Sequence, residues 1–303
     1  MKIIITGGTG LIGRALADDL AKDQHEVILL SRGSKPAMGF PPGVRLEKWD
    51  GRTAQGWGKL ADGADAIVNL AGENISAGRW TPRRKQVIVE SRANAGKAVV
   101  EAVQQAVHKP GVVIQISGVG AYGTSETALF DENSSYGDDF GASVTKVWEA
   151  GTQPVESLGV RRVVARSGVV LTTNGGALPL MLLPFKFFVG GPLGSGRQWL
   201  SWVHLEDEVR ALRFLIENPE ARGLYNISAK PLTNRQFGQV IGKTMGRTAF
   251  FPAPAFAIRL MFGEMSTVVL DGQRVSARRL EDLGFSFRFP DAETALKNLL
   301  DRS

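Results

Sequence analysis

The chain has 303 residues, 43% of them hydrophobic and 22% charged, which is enough to build a large core in one large or two modest domains. It has no cysteine, so disulfides and thiolate metal sites are excluded, and its three histidines lie too far apart in sequence to suggest a metal site. The formal charge is +6, but the basic residues are spread along the chain without a nucleic-acid-binding motif, so we expect no nucleic-acid partner. The longest apolar stretch, 178–189, is broken by prolines and a lysine, so we expect no membrane span and a cytoplasmic protein.

The chain opens with a strand, a glycine-rich turn and a helix. The apolar run 3–5 is too short and too β-branched for a helix, whereas Leu16 and Leu20 follow at helical spacing. Glycines at 7, 10 and 13 permit a sharp turn, a close approach of the backbone to a pyrophosphate, and close packing of helix on strand. The N–H groups of the first helical turn would hold the phosphates. We therefore predict a dinucleotide-binding loop made of Gly7, Thr9, Gly10, Leu11, Ile12 and Gly13.

The end of the next predicted strand, 26–30, favours NADP(H) over NAD(H). NAD-binding proteins usually carry an acidic residue about 20 positions past the glycine loop, where it holds the ribose hydroxyls. Here the strand ends in Ser31 and Arg32, with Lys35 close behind and no carboxylate. A guanidinium binds a 2′-phosphate through paired, charge-assisted hydrogen bonds, whereas a carboxylate would repel it. We therefore predict NADP(H), held in part by Ser31 and Arg32; the alternative is that Arg32 is a solvated surface charge.

Further β-branched runs predict the rest of a parallel sheet. Strands are expected over 45–49, 66–72, 112–117 and 162–167, and a long helix over about 82–107. Strands that alternate with helices predict an α/β fold with a Rossmann-type doubly wound parallel sheet. The nucleotide-binding domain is expected over 1–170, with some later segments returning to it. A smaller α/β substrate lobe is expected over 171–303.

The carboxyl ends of the strands nominate further cofactor residues. In a doubly wound sheet the ligand lies outside these ends, where the winding reverses. The residues that this adds to the predicted cofactor site are Asp50, Leu70, Ala71, Gly72, Ser117 and Arg166.

The chain resembles the extended short-chain dehydrogenase/reductase superfamily, and within it the atypical branch called nucleoside-diphosphate-sugar epimerase-like. The segments that carry the resemblance to the superfamily are Thr6 to Gly13, Asn69 to Gly72, Ile116-Ser117 with Tyr122-Gly123, and Trp202 to Asp207. Those that carry the resemblance to the branch are Gly72 to Trp80, Trp148-Glu149, Gly194 to Gln198, and Pro252 to Leu300. The last segment is similar to a small C-terminal domain of unassigned role, which we expect over 250–303.

The resemblance implies a hydride-transfer site with a serine, a tyrosine and a lysine. In the superfamily the tyrosine exchanges the hydroxyl proton, the lysine four residues later lowers the tyrosine pKa and holds the nicotinamide ribose, and the serine orients the carbonyl. Ser117 matches the serine and Lys146 the lysine, but Ala142 stands where the tyrosine is expected. Tyr136, ten residues before Lys146, cannot share its helix face by that spacing. The expected proton donor is therefore missing.

Three explanations for the missing tyrosine remain open. In the first, Tyr122, in the loop after Ser117, supplies the hydroxyl from another direction. In the second, Glu73, His204 or a group of the substrate does the acid–base work. In the third, epimerase-type chemistry is weak or absent, and the fold is kept for NADPH binding.

A set of charged and aromatic residues is predicted to contact a small-molecule substrate, with Arg197 in a glycine-rich loop suited to an anion. The candidates are Glu73, Arg79, Trp80, Arg197, Trp202 and His204. The alternatives are that Trp202 belongs to the core, that His204 only caps the helix beginning there, and that Arg197 lies on a solvated loop. Together these features predict an NADP(H)-binding oxidoreductase or epimerase-like enzyme. The rival interpretation is a non-catalytic NADPH-binding regulatory protein.

Overall fold

A computed structural model of the protein describes residues 1–33 and 39–301, so Lys35 lies outside the described residues. Seven parallel strands form one sheet: β1 (Lys2–Thr6), β2 (Glu26–Ser31), β3 (Val44–Lys48), β4 (Ala66–Asn69), β5 (Val112–Gly118), β6 (Arg161–Ser167) and β7 (Gly223–Ile227). Their order across the sheet is β7-β6-β5-β4-β1-β2-β3, so the winding reverses between β1 and β4. The predicted doubly wound parallel sheet is confirmed.

Helices connect and cover the strands. In chain order they are α1 (Leu11–Lys22), α2 (Pro82–Gln105), α3 (Phe140–Gly151), α4 (Leu178–Lys186), α5 (Leu205–Glu217), α6 (Asn234–Met245), α7 (Ala255–Phe262), α8 (Thr267–Leu270), α9 (Arg278–Asp282) and α10 (Ala292–Asp301). Single 3₁₀ turns lie at Gly58–Ala61, Val119–Tyr122, Gln153–Leu158 and Gly263–Ser266. Helices α2 and α3 have clear start signals. Thr81 caps α2 just before Pro82, and Asp139 caps α3.

The sheet is buried on both faces, as a parallel sheet requires. Ile3 and Ile5 of β1 belong to a core cluster with residues of α1 and α5, whereas Ile4 between them belongs to a cluster with residues of α2. Helix α3 packs on α2 where Gly96 meets Gly151, since a Cβ on Gly96 would lie 2.7 Å from the Gly151 Cα. This close approach fixes α3 beside the carboxyl ends of β5 and β6.

A third apolar cluster lies in the second half of the chain. It contains buried residues of α4, α6 and α10, together with Trp202. Short strand pairs join its loops: Val169–Leu171 with Trp202–His204, Trp199–Leu200 with Leu232–Thr233, and Leu129–Phe130 with Arg274–Val275.

The predicted elements match the structure closely in the first half of the chain. Strands β3 and β4 each end earlier than predicted, at Lys48 and Asn69, and α2 ends at Gln105. The last strand, β7, was not predicted, and it pairs with β6 at the edge of the sheet. Strand β7 and helix α5 are thus later segments that return to the nucleotide-binding sheet. Within the described part of the chain, no helix is long and apolar enough to cross a membrane.

Candidate functional site

The glycine-rich turn after β1 lies against the exit of β4, and we call residues 7–13 with Ala71 the glycine cradle. Gly7 adopts a φ of +65°, and a Cβ there would lie 3.0 Å from the Cα and N of Ala71. A Cβ on Gly13 would lie 2.7 Å from the Gly8 Cα, so α1 can start directly on the turn. The glycines therefore allow the close backbone approaches that the sequence predicts.

The glycine cradle presents the N-terminus of α1. Gly10 is the N-cap, no side-chain hydrogen bond caps it, and the first helical bond runs from Arg14 N to Gly10 O at 2.9 Å. The N–H groups of Leu11, Ile12 and Gly13 therefore have no partner within the helix, and the positive end of the helix dipole lies there. The cradle thus fits a pyrophosphate.

The end of β2 borders this cradle. Thr9 Oγ1 and Ser31 Oγ are 3.2 Å apart, and Ser31 Oγ also accepts from Gly33 N at 3.2 Å. The Arg32 side chain is 69% exposed, and its Nη2 lies 3.5 Å from Glu73 Oε2. A carboxylate from the loop after β4 therefore lies beside Arg32. Because Glu73 also pairs with Arg84 at 3.1 Å, two cations share one carboxylate and the corner keeps a positive charge.

Asp50 lies after β3, as predicted, but its carboxylate holds a local turn. It accepts hydrogen bonds from Arg52 N at 2.7 Å, Thr53 N at 2.9 Å and Thr53 Oγ1 at 2.7 Å. Desolvation would raise the pKa of Asp50, but the hydrogen bonds from Thr53 and Arg52 outweigh it and lower the pKa. These bonds account for the Asp50 carboxylate without a cofactor.

A chain of buried polar side chains shapes the exit of β4. Thr6 Oγ1 donates to Asn69 Oδ1 at 2.6 Å, and Asn69 Nδ2 donates to Gln115 Oε1 at 2.8 Å. Thr6 Oγ1 also accepts from Ala71 N at 3.3 Å, which holds the segment Leu70-Ala71-Gly72 against the glycine cradle. This chain across β1, β4 and β5 was not predicted, although Asn69 belongs to a segment that carries the family resemblance.

Four side chains meet at the ends of β5 and β6 in what we call the Glu149 cluster: Ser117, Tyr136, Glu149 and Arg166. Ser117 Oγ donates to Glu149 Oε1 at 2.6 Å. Arg166 donates two hydrogen bonds to the same carboxylate, from Nε to Oε1 at 2.8 Å and from Nη2 to Oε2 at 2.9 Å. Burial lowers the pKa of Arg166, but the hydrogen bonds and charge of Glu149 raise it above its ordinary value. Arg166, predicted as a cofactor contact, is buried and holds Glu149 instead.

Tyr122 is not available as the missing proton donor. It is only 3% exposed, and its hydroxyl donates to Asn226 Oδ1 at 2.7 Å. Burial raises the pKa of Tyr122 to about 12, even though the guanidinium of Arg166 lies 4.6 Å from its ring centroid. The hydroxyl is directed into the protein, toward β7, and not toward an open site.

Tyr136 contacts the Glu149 cluster, although its spacing from Lys146 in the sequence argued against a shared helix face. Its hydroxyl donates to Glu149 Oε2, and its ring centroid lies 4.8 Å from Arg166 Cζ and 6.0 Å from Lys146 Nζ. The prediction assumed that Tyr136 would have to lie on α3, but α3 begins at Phe140 and the loop before it folds back along the helix. The nearest signal in the sequence is Gly137, on which a Cβ would lie 2.5 Å from the Gly123 Cα.

Arg79 and Trp80 have structural contacts that the substrate prediction did not foresee. Arg79 donates to the carbonyls of Leu260 and Met261, the latter at 3.0 Å, and so ties the segment before α2 to α7. Trp80 donates to Ile75 O at 2.9 Å and packs edge-on against a phenylalanine, Phe140, at 4.8 Å.

Trp202 and His204 also have structural roles. Trp202 is fully buried in the third apolar cluster and donates to Lys230 O at 3.0 Å, so it belongs to the core. His204 is the N-cap of α5, where its Nδ1 accepts from Glu206 N at 3.0 Å, and its ring stacks on Phe289 at 4.0 Å. The capping alternative therefore describes His204 better than acid–base chemistry.

Arg197 lies beside a cavity of about 320 Å³ and pairs with Glu126 at 3.1 Å. The residues that line this cavity are Glu126, Thr127, Gly196, Arg197, Trp199, Thr233 and Arg235. Its lining includes neither the glycine cradle nor the Glu149 cluster, so this cavity does not join Arg197 to either of them.

Glu208 of α5 is a fully buried carboxyl beneath the end of β6. It accepts from Ser167 Oγ at 2.8 Å, and no hydrogen bond reaches its Oε1 from residues 1–33 or 39–301. Burial raises the pKa of Glu208 to about 8, and the Ser167 hydrogen bond offsets this only in part. Glu208 is therefore mostly protonated at pH 7.

Known proteins resemble this chain over nearly its whole length. The NAD dependent epimerase/dehydratase family matches residues 3–146, and a domain of unknown function, DUF1731, matches residues 253–299. The chain is 39% identical to epimerase family protein YfhF of Bacillus subtilis (strain 168), over 99% of this chain and 98% of that protein. The chain belongs to this epimerase family.

Further members extend the likeness. The chain is 39% identical to the chloroplastic epimerase family protein SDR39U1 homolog of Arabidopsis thaliana, over 99% of this chain and 87% of that protein. The crystal structure of human epimerase family protein SDR39U1 (isoform2) with NADPH has a TM-score of 0.90 and 37% identity, with full coverage of both chains. A UDP-galactose 4-epimerase has a TM-score of 0.76 at 18% identity, which shows a shared fold.

Proposed function

We propose that the protein binds NADP(H) and catalyses hydride transfer between the nicotinamide and a carbonyl or hydroxyl carbon of a small molecule. The observation that carries this proposal is the glycine cradle at the switch point of the sheet, with the Ser117 hydroxyl at a neighbouring strand end. The human relative crystallised with NADPH supports the same cofactor.

The residues of the chain have separate roles in this proposal. The N–H groups of the first turn of α1 hold the pyrophosphate, and Arg32 holds the 2′-phosphate. Lys146, exposed on α3, holds the nicotinamide ribose, and Ser117, whose proton is bonded to Glu149, helps to hold that carboxylate in place. The cofactor, when bound, supplies or accepts the hydride.

The second candidate is a non-catalytic NADPH-binding regulatory protein. It is favoured by one observation: Ala142, at the position of the family tyrosine, is buried and carries no proton to donate. The two candidates share the cofactor and differ in whether hydride leaves it.

Deuteride transfer separates the two candidates. We expect NADPH fluorescence to report binding, and [4-²H]NADPH to lose its deuterium to at least one member of a panel of aldehydes, ketones and keto-sugars, as read by mass spectrometry. Tight NADPH binding without loss of deuterium to any carbonyl would favour the regulatory candidate.

Replacement of Arg32 tests the cofactor preference. We expect Arg32→Ala to weaken NADPH binding by about ten- to a hundredfold, because a charge-assisted hydrogen bond contributes roughly 1.5–3 kcal/mol. Binding of NADH, which has no 2′-phosphate, should stay unchanged. Arg278→Ala, at a side chain that is 83% exposed, is the matched control. If Arg32→Ala keeps the NADPH preference, Arg32 is a solvated surface charge.

A further inference from the structure

We propose that Tyr136, with Glu149 behind it, is the proton donor and acceptor of this site, in place of the tyrosine that is missing at position 142. This inference rests on the proposed hydride transfer. It assigns a catalytic role to Tyr136, which would touch the substrate oxygen, and a proton-holding role to the Glu149 carboxylate.

Of the tyrosines in the chain, only one is a candidate for the proton donor. The sequence contains three, at 122, 136 and 225, and all lie within the described residues. Tyr122 and Tyr225 are 3% and 4% exposed, whereas Tyr136 is 39% exposed. Only Tyr136 therefore combines a hydroxyl bonded to the cluster with a ring that solvent and a ligand can reach.

The hydrogen bonds leave the Tyr136 oxygen ready to accept a proton. Tyr136 and Ser117 donate to different oxygens of the same Glu149 carboxylate, so both hydroxyl protons already lie on that side. Each hydroxyl oxygen keeps lone pairs for a substrate hydroxyl. The paired bonds from Arg166 hold the carboxylate in one orientation, as a bidentate guanidinium does.

The loop before α3 is built to hold Tyr136 there. Gly137 N donates to Ala121 O at 2.9 Å, and Gly137 packs on Gly123 without room for a side chain. Two residues later, Asp139 caps α3 by accepting from Ala142 N at 2.7 Å. Tyr136 is therefore anchored between the turn after β5 and the first turn of α3, which is the pre-organisation that proton transfer needs.

The proton balance closes with solvent as the only further source or sink of protons. When an alcohol is oxidised, its carbon loses hydride to the oxidised nicotinamide, and its O–H electron pair forms the C=O bond. The hydroxyl proton moves to the Tyr136 oxygen while the Tyr136 proton moves to Glu149. Reduction reverses each transfer: Glu149 first takes a proton from solvent, and the carbonyl oxygen then receives a proton from Tyr136, which is replaced from Glu149.

The surrounding charges suit a relay better than a free tyrosinate. The pKa of Tyr136 is raised, and burial is the largest cause. The hydrogen bond and charge of Glu149 raise the pKa further, and Arg166 opposes these effects. Tyr136 therefore keeps its proton at neutral pH and works by passing protons on. The family arrangement instead depends on a lysine that lowers the tyrosine pKa.

Tyr136→Phe tests the catalytic role. We expect kcat/KM for deuteride transfer to fall by about a hundredfold or more, the range typical of a lost general acid–base group. The Kd for NADPH should stay within about twofold, since no cofactor contact is removed. Tyr225→Phe is the matched control and should retain both activity and binding. Wild-type turnover in Tyr136→Phe would overturn the relay and leave hydride transfer standing, whereas an inactive wild type would overturn both.

A second measurement does not depend on turnover. With [ζ-¹³C]tyrosine the three ring signals can be assigned by single Tyr→Phe variants and followed by NMR as pH rises. We expect Glu149→Gln to lower the pKa of Tyr136, because the neighbouring anion is lost. If the pKa of Tyr136 is the same in Glu149→Gln as in the wild type, the proposed coupling between Tyr136 and Glu149 is overturned. If Glu149→Gln does not fold, Ser117→Ala, which removes the other hydroxyl on Glu149, should also shift the Tyr136 signal.

Discussion

The glycine cradle and the Glu149 cluster lie on the same edge of one sheet but are built in different ways. The cradle is made of backbone, from seven consecutive residues and the strand exit beside them. The Glu149 cluster is made of side chains drawn from β5, the loop before α3, α3 itself and β6. Backbone sites depend on local conformation, whereas side-chain clusters depend on how distant elements pack.

The glycine cradle and the Glu149 cluster also differ in how much charge they bury. The cradle buries little charge and exposes N–H groups to a ligand. The Glu149 cluster buries a carboxylate and a guanidinium, which are stable only as a pair because each alone would lack compensation. We therefore expect substitutions in the cluster to affect folding more than substitutions in the cradle.

The largest effect should come from breaking the buried ion pair. Arg166→Met leaves the buried Glu149 carboxylate without its guanidinium partner, and we expect the free energy of unfolding to fall by about 3–5 kcal/mol. Urea denaturation measures this, and Arg278→Met, at an exposed position, should change stability by less than about 0.5 kcal/mol. Equal stability of the two variants would show that the pair is not the structural support of this region.

A smaller effect is expected where the cradle is overpacked. In Gly13→Ala the new Cβ would lie 2.7 Å from the Gly8 Cα and 3.0 Å from Gly7 O, so the turn must shift. We expect a loss of about 1–3 kcal/mol in stability, and at least tenfold weaker NADPH binding in fluorescence titration. Gly120→Ala, with no atom within 4 Å of the new Cβ, is the control. Unchanged NADPH affinity in Gly13→Ala would show that the close packing is not needed for binding.

The last effect depends on pH and should come from Glu208. Because burial raises the pKa of Glu208 to about 8, the folded protein keeps a proton that the unfolded chain, with a pKa near about 4.3, has lost. The unfolding free energy should therefore fall by about 1.4 kcal/mol per unit as pH rises from about 5 toward 8. Glu208→Gln should remove this slope in urea denaturation at pH 5.5, 6.5 and 7.5. A variant that keeps the slope would assign it to another group.

Much of the fold could be predicted from the sequence, because strand and helix patterns are local. The β-branched runs that form β1, β2, β4, β5 and β6 were predicted within a few residues of their observed bounds. Strand β7 escaped prediction, since its five residues include a glycine and an asparagine and lie in a region punctuated by turns. Its place in the sheet depends on pairing with β6, which is 50 residues or more away in sequence.

By itself, the sequence determined the glycine cradle, its place after β1, and the absence of a tyrosine at position 142. These follow from glycine's freedom at positive φ and from helical spacing, which act over a few neighbouring residues. Only the tertiary structure decided that Glu73 joins Arg32, that Tyr122 is buried, and that Tyr136 reaches Glu149. Those contacts depend on how loops fold back between elements, because side chains far apart in sequence meet only when the sheet and its helices have packed.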